Sequence, residues 1–248
     1  MISLFHTYIH DPIYNLLIFL IDVIPGGDIG LAVIAVTLIV KVILLPLSLS
    51  AVRTQRAMKV VEPELKDIRE KHKDDKELQA KETFALYKKY RINPFASFLT
   101  LIIQLPILLG LYWVFRGESF PLIDTGILYA FVSEPAHLST LFLGIFPMVG
   151  KSITLAVLAG ITQFGQAYFA IPTPPKREKS SMSEDFGRAM AMQARYVIPF
   201  IIAVVAYETS GAVALYFVTS NLFMVGQELL ARRNPLVVAK EEAPASRP

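Results

Sequence analysis

The sequence predicts an all-α integral membrane protein with five transmembrane helices. Apolar residues make up 54% of the 248-residue chain and charged residues 18%, whereas soluble globular chains average about 45 to 50% and about 25%. Several apolar segments also approach the roughly 20 residues that a helix needs to cross a bilayer. Together these two observations favour lipid as the solvent of the chain. The predicted spans are 29–49, 94–115, 152–169, 195–208 and 211–231.

The first 28 residues are predicted to form a helix that lies at the membrane interface and does not cross. Their longest uninterrupted apolar run, Leu16 to Ile21, rises only about 9 Å, less than a third of the hydrocarbon core of roughly 30 Å. Pro25, Gly26 and Gly27 then favour a turn. The alternative is an N-terminal tail without fixed structure.

Lysine and arginine counts predict the orientation. Residues 50–93 contain 12 of them, 170–194 contain four and 232–248 contain four, whereas 1–28 and 117–150 contain none. Short loops rich in Lys and Arg stay in the cytoplasm. We therefore expect the N-terminus outside and the C-terminus in the cytoplasm, in agreement with an odd number of spans.

The segment 50–93 is predicted to form a cytoplasmic helical hairpin. Apolar residues recur there at steps of three and four on two stretches, which is the pattern of an amphipathic helix. The first stripe is Met58, Val61, Leu65 and Ile68, and the second is Ala80, Phe84, Tyr87 and Tyr90. A polar turn at 73–75 separates them. A solvated charged linker is the alternative.

The other segments give weaker patterns. Residues 116–151 are expected on the outer side, where the short apolar stretches 122–132 and 138–149 favour interfacial or re-entrant structure. Residues 170–194 begin with prolines and continue with serines, a composition typical of a cytoplasmic loop. The tail 232–248 is predicted to be cytoplasmic and disordered.

Polar residues fall within four of the five predicted spans. At about 100° per residue, Thr37, Lys41 and Ser48 share one face of the first span. The other spans contribute Ser97, Thr100 and Gln104; Thr162, Gln163 and Gln166; and Tyr216, Thr219, Ser220, Asn221 and Gln227. Such side chains serve either as contacts between helices or as the lining of a hydrated cavity.

The position of Lys41 favours the second interpretation, a hydrated cavity. It lies about 12 Å from the cytoplasmic end of its predicted span, a depth at which snorkelling to the interface is strained. No acidic residue of the sequence is expected at the same depth. A cation in such a cavity attracts anionic groups that arrive from the cytoplasm.

The sequence gives no reason to propose an enzyme. It contains no cysteine, which excludes thiolate chemistry, and no nucleotide-binding loop. Its four histidines include no HExxH motif and no pair at metal-ligand spacing within a span. We therefore expect no catalytic residue, no cofactor and no metal ligand.

Three stretches carry a family resemblance. "GLAVIAVTLIVKVILLPLSLSAVRTQRAMKVVEPELKDIREKH" (30–72), "ALYKKYRINPFASFLTLIIQLPILLGLYW" (85–113) and "ALYFVTSNLFMVGQELLARR" (214–233) resemble the YidC/Oxa/Alb membrane protein insertases. The resemblance covers about residues 10–233, and it is to the five-span form without a large periplasmic domain. It implies a multi-pass protein of the bacterial inner (plasma) membrane.

The resemblance also implies a function. Members of this family are membrane chaperones that take substrate segments from the cytoplasm into a hydrophilic groove among the five spans and release them sideways into lipid without nucleotide hydrolysis. By motif position, the groove charge, usually arginine, falls on Lys41, with Thr37 one turn away, and the resemblance adds Gln104 on the second span and Tyr216 and Phe217 on the last. With the polar faces above, the predicted groove residues are Lys41, Thr37, Ser48, Thr100, Gln104, Gln163, Tyr216, Phe217 and Asn221.

The expected partners follow from this function. They are nascent membrane proteins and membrane lipids, with no direct binding to nucleic acid. The Sec translocon and the ribosome are further candidate partners, and the sequence does not decide whether either is required. Two other functions remain open: a small solute transporter or channel with an anion site at Lys41, and a structural assembly factor for other membrane proteins.

Overall fold

A computed structural model describes residues 5–90, 92, 93, 105, 107–115, 122–171 and 188–233. The described chain is mostly helical, and it falls into two compact units, with unit 1 drawn from Met1–Ile43 and Gln104–Glu228 and unit 2 from Leu44–Ile103 and Leu229–Pro248. The helices are α1 (Asp11–Val23), α2 (Ile29–Ile43), α3 (Leu45–Lys71), α4 (Lys76–Lys89), α5 (Ile153–Ala170), α6 (Ile198–Glu208) and α7 (Gly211–Arg233). Residues 107–115 are also helical.

Helix α1 is held by packing and by the buried polar side chain of Asn15. Its inner face, Leu17, Ile18 and Ile21, is buried, and the helix packs on α2. The Asn15 amide donates to Ile127 O at 2.9 Å and accepts from Tyr129 N at 2.6 Å. These bonds satisfy a polar group that would be costly to bury alone. A helix is thus present within residues 1–28. The location of this helix at the membrane interface stays a prediction.

Asp28 caps helix α2. One carboxylate oxygen accepts from Gly30 N at 2.7 Å and from Leu31 N at 3.1 Å, so it satisfies backbone donors that have no partner inside the helix. The other oxygen accepts from Leu143 N at 2.8 Å. One side chain therefore begins α2 and holds a distant loop against it.

The predicted span 29–49 is two helices in the structure. Helix α2 ends at Ile43, and α3 begins at Leu45 with Pro46 in its first turn. Proline has no N–H to donate to the preceding turn, so it suits the start of a helix better than its interior. Taken together, Ile29–Ile43 and Leu45–Val52 still pass as one broken membrane span.

Residues 122–151, which we call the connecting segment, contain only short elements. These are a 3₁₀ turn at Thr125–Ile127 and a hairpin of β1 (Leu141–Phe142) with β2 (Phe146–Pro147), in which Phe142 pairs with Phe146. The apolar stretches of the sequence therefore form turns and a hairpin here, with no α-helix among residues 122–151.

The connecting segment contacts the start of two helices. Ser139 N donates to Gly27 O at 2.8 Å, just before α2, and Ala212 N donates to Met148 O at 3.0 Å, in the first turn of α7. The approach at α7 is so close that a Cβ on Gly211 would lie 1.8 Å from Pro147 O. Only glycine fits there without moving the backbone.

Among the residues that the structure describes, three helices are long and apolar enough to cross a membrane. They are Ile153–Ala170, Arg188–Glu208, which has a π-helical turn at Gln193–Val197 and ends with α6, and Gly211–Leu230, with the broken pair at 29–52 as a fourth. Most of the predicted span 94–115 lies outside the described residues. The structure thus supports an all-α membrane protein with three to four candidate spans.

Helices α5 and α6 pack against each other and are tied at both ends. Lys151 Nζ donates to Glu208 Oε2 at 2.6 Å, which joins the start of α5 to the end of α6. At the other end, the Arg195 guanidinium donates to the carbonyl oxygens of Tyr168 and Ile171. The last turn of α5 therefore has a cationic partner for its exposed carbonyls.

In unit 2, α3 and α4 pack against each other through an apolar cluster. Its buried members are Ala57, Val61, Leu65, Leu86 and Ile92, with Met58, Ile68, Tyr87 and Tyr90 packed around them. All four residues of the first predicted apolar stripe thus belong to this cluster, whereas only Tyr87 and Tyr90 of the second stripe do. Phe84 is 66% exposed, and Leu86 is buried in its stead. The polar turn contains Asp75, whose carboxylate accepts from Leu78 N and caps α4.

Candidate functional site

Lys41 lies on the last turn of α2, at the edge of the helix's buried face. Ala32, Val33 and Val36 are fully buried on that face, while Leu38 and Val42 on the opposite face are exposed. Lys41 itself is half-buried. An apolar helix with an exposed apolar face suits contact with lipid, and at about 100° per residue the lysine lies between that face and the buried face.

Thr37 lies one turn before Lys41, about 40° away around the helix. Its side chain is buried, and its hydroxyl donates to Val33 O at 2.6 Å. This bond satisfies the hydroxyl within α2 itself. The predicted pairing of these two residues on one helix face is therefore present, with the cation as the more exposed member.

Helix α7 is the most buried of the three unbroken candidate spans among the described residues. Half of its span is buried, against 22% for Ile153–Ala170 and 17% for Arg188–Glu208. Tyr216 and Phe217 are both buried, with ring centroids 5.6 Å apart. The Tyr216 hydroxyl has no hydrogen bond of ordinary geometry among the described residues, although the Ser220 hydroxyl faces it one turn along the helix.

Asn221 makes the polar contact between α7 and α5. It is 4% exposed, and its amide nitrogen donates to Thr162 Oγ1 at 3.3 Å and approaches Ala159 O at 3.5 Å. Thr162 in turn donates to Leu158 O at 2.9 Å. The structure therefore brings together two residues from different predicted polar faces, because α5 and α7 cross at this level.

The other predicted residues are placed differently. Gln163 is half-buried, and its amide donates to Gln166 Oε1 at 3.3 Å on the same helix. Ser48 is half-buried on α3, in unit 2. Thr100 and Gln104 lie outside the described residues. No convergence of all nine residues is therefore described, and the groove stays a prediction.

Sequence reasoning missed two side chains that position the site. Thr162 belonged to a recognised polar face, but its contact with Asn221 depends on how two helices cross. Asp28 lies directly before the first predicted span and was not predicted to cap it. The signal that could have identified it as a cap is an acidic residue directly before an apolar periodic run, which is typical of a helix N-terminus.

Together these features define a class: a multi-pass helical membrane protein with a half-buried lysine on an apolar helix and a buried polar contact between two candidate spans. Comparison with known proteins then identifies the family. The chain belongs to the family described as 60Kd inner membrane protein, whose model matches residues 20–237. With its apolar helices and bacterial relatives, this makes it a multi-pass protein of the bacterial inner membrane.

Similar proteins cover most of the chain. A protein of Clostridium tetani is 32% identical over 84% of this chain and 84% of its own length. One from Fusobacterium nucleatum is 29% identical over 90% and 96%, respectively. One from Halalkalibacterium halodurans is 30% identical over 97% and 83%. The first two are named Membrane protein insertase YidC, and the third Membrane protein insertase YidC 1.

Proposed function

We propose that the protein is a membrane protein insertase and chaperone, and not an enzyme. In this proposal it takes substrate segments from the cytoplasm into a hydrophilic groove within the membrane and releases them sideways into lipid without nucleotide hydrolysis. The family match and the names of the relatives support the general function. The observation that carries the mechanism is Lys41, a half-buried cation on an otherwise apolar helix.

The physical role proposed for Lys41 is to lower the barrier to entry. A charge at membrane depth costs roughly 2.5 to 3.5 kcal/mol on insertion scales, so a polar or acidic segment crosses hydrocarbon slowly without help. A cation beside hydrated groups attracts that segment and shortens the hydrocarbon distance it must cross. No fuel is needed, because the apolar part of the substrate is more stable in lipid once it has left the groove.

The same proposal assigns the orientation and the partners. The α3–α4 pair is cytoplasmic and receives substrates, the connecting segment is on the outer side, and the substrates are nascent membrane proteins that pass into membrane lipids. The charge distribution supports this orientation, with 12 Lys and Arg in residues 50–93 and none in 117–150. The Sec translocon and the ribosome are candidate partners, to be tested by co-purification.

The test uses the purified full chain in liposomes with a single-span substrate that carries a short acidic outer tail. We expect Lys41→Ala to reduce insertion about tenfold and Lys41→Glu to reduce it further, since the second change repels the acidic tail. Lys41→Arg should be tolerated because it keeps the charge. Insertion is measured as protection of the substrate tail from added protease.

Two control variants separate the role of Lys41 from general effects. Lys81→Ala removes an equal charge from the exposed surface of α4, and Val42→Ala alters the exposed face of α2 beside Lys41. Both should insert substrate normally. Normal insertion by Lys41→Ala and Lys41→Glu would remove Lys41 from the mechanism. Anion flux without insertion would instead favour a transporter or channel.

A further inference from the structure

We propose that His6, His10 and Asp11 form a binding site for a divalent transition-metal ion such as Zn²⁺, next to the start of α1. The ligand atoms of these three residues all lie within 4.8 Å of one another. The two imidazole rings are neighbours, with centroids 4.8 Å apart. This site is separate from the polar residues assigned to substrate insertion, and the proposal does not depend on that function.

The donor set selects the class of ion. Two imidazole nitrogens and one carboxylate oxygen suit Zn²⁺ and similar borderline ions, whereas Mg²⁺ and Ca²⁺ prefer oxygen alone. With metal–ligand distances of about 2.0 to 2.2 Å, tetrahedral ligands lie about 3.4 Å apart. The ligand atoms here lie within 4.8 Å of one another, so binding must bring them closer by about 1.4 Å at most, and a water molecule can complete the fourth position.

The backbone brings the two histidines to one side. Residues His6–His10 form a π-helical turn, and the Asp11 N–H bonds to His6 O. In this wider turn a spacing of four residues stays close to one full rotation, so both rings face the same way. Single π-helical turns occur frequently at functional sites.

Local contacts also orient His10. It is buried, its ring stacks on Tyr14 with centroids 5.9 Å apart, and Nδ1 lies 2.9 Å from Asp11 Oδ1. This contact already holds one histidine nitrogen and one carboxylate oxygen side by side. In the proposed site, one ring nitrogen of each histidine and one Asp11 oxygen are the three ligands.

A structural role for the His10–Asp11 pair would explain part of this geometry without a metal. A structural role of this kind does not require His6, which is half-buried and packs beside Phe5 and His10. The requirement for His6 therefore distinguishes the two readings. The chain also offers a matched control, because His72 Nε2 lies 3.1 Å from Glu82 Oε2, and no third His, Cys, Asp or Glu among the described residues completes a cluster there.

The experiment measures Zn²⁺ binding to the full chain in detergent by calorimetry, with a purification tag that contains no histidine. We expect one equivalent per chain, with binding at least tenfold weaker in His6→Gln and in His10→Gln and unchanged in His72→Gln. A thermal melt without metal checks the fold of each variant. His6→Gln decides the result, because that residue is only half-buried and its substitution leaves the His10–Asp11 pair in place.

A second measurement uses the same samples. An ion that binds only the folded chain raises its melting temperature, so the same concentration of Zn²⁺ should stabilise the wild type and His72→Gln more than His6→Gln. Equal Zn²⁺ affinity in His6→Gln and wild type would overturn the proposal. So would a wild type without saturable binding, in which case the cluster is a hydrogen-bonded pair with a neighbouring ring.

Discussion

Asn221 shows what a single buried polar residue does in unit 1. Its amide donates from α7 to Thr162 on α5, in surroundings where few other partners exist. Hydrogen bonds between membrane helices contribute about 0.6 kcal/mol on average and up to about 1.7 kcal/mol, since polar groups of the unfolded chain in the membrane also find partners. The contact therefore fixes the level at which the two helices cross more than it adds stability.

A double-mutant cycle tests this contact. Asn221→Ala and Thr162→Val should each lower the free energy of unfolding, and the cycle should yield a coupling energy of about 0.6 to 1.7 kcal/mol. Thr219→Val on the same helix is the control, because its hydroxyl bonds only within α7, to Leu215 O at 2.9 Å. Strictly additive effects of the first two changes would show that the contact does not form.

Tyr90 predicts a pH effect in unit 2. Its phenol donates to the Glu64 carboxylate, and this hydrogen bond raises the pKa of Tyr90, an effect that nearby Lys89 partly offsets. Because the folded chain favours the protonated phenol, the stabilisation is complete below the ordinary tyrosine pKa of about 10 and is lost as pH rises through the raised value.

The phenolate absorbance of wild type minus Tyr90→Phe isolates this titration. We expect its midpoint above pH 10, and a shift back toward the ordinary tyrosine value of about 10 in Glu64→Gln, which keeps an acceptor but loses the charge. A midpoint that does not move in Glu64→Gln would mean that the carboxylate is not the partner.

For single residues, the helical period predicted which side chains share one face of a helix, but not which residues of other helices they contact. Thr37 and Lys41 share a face because four residues nearly complete a turn. The partner of Asn221 could not be predicted, since it depends on the crossing of α5 and α7. Leu143 is a stronger case. It has φ of 52°, which leucine rarely adopts, and its N–H is held by Asp28, 115 residues away in sequence.

At the scale of elements, one glycine sets how closely α5 and α6 approach. A Cβ added at Gly160 would lie 2.9 Å from Ala203 Cβ and 3.3 Å from Pro199 O. At Gly165, on the same helix, nothing lies within 4 Å of an added Cβ. Small residues at such contacts let membrane helices pack closely.

Gly160→Val should therefore force the two helices apart. We expect a loss of about 1 to 3 kcal/mol of unfolding free energy, as for overpacking in general. Gly165→Val, the matched control, should cost only what helix propensity dictates, about 0.5 kcal/mol or less in either direction. Chemical denaturation in mixed micelles measures both, and equal losses would refute the close approach.

The sequence predicted where most described helices lie better than where they end. The recurrence of apolar residues every three and four positions predicted α3 and α4. In α4, however, Leu86 is buried and Phe84 is exposed, because residues next to a predicted apolar stripe can also lie on the buried face. Pro46 indicated the helix break at Leu44, but the length of the predicted span 29–49, 21 residues, favoured one continuous helix. The β1–β2 hairpin had only a weak signal, because one of the two left-handed positions in its turn is Gly144 but the other is Leu143.

For the whole molecule, the proposed orientation can be tested directly because the chain contains no cysteine. Single substitutions Ser133→Cys, in the connecting segment, and Lys81→Cys, on α4, each introduce one thiol at an exposed position. A membrane-impermeant maleimide should label Ser133→Cys in intact spheroplasts and Lys81→Cys only after lysis. The reverse pattern would invert the orientation.

The carboxylate of Asp28 couples two parts of unit 1 that are far apart in sequence. The first turn of α2 and the loop at Leu143 bind the two oxygens of this one carboxylate. A movement of either segment therefore disturbs the hydrogen bonds of the other. Segments linked in this way open and close as one cooperative unit. The end of α2 that Asp28 secures is the one opposite Lys41, so the helix that carries the lysine is pinned at one end and interrupted at the other.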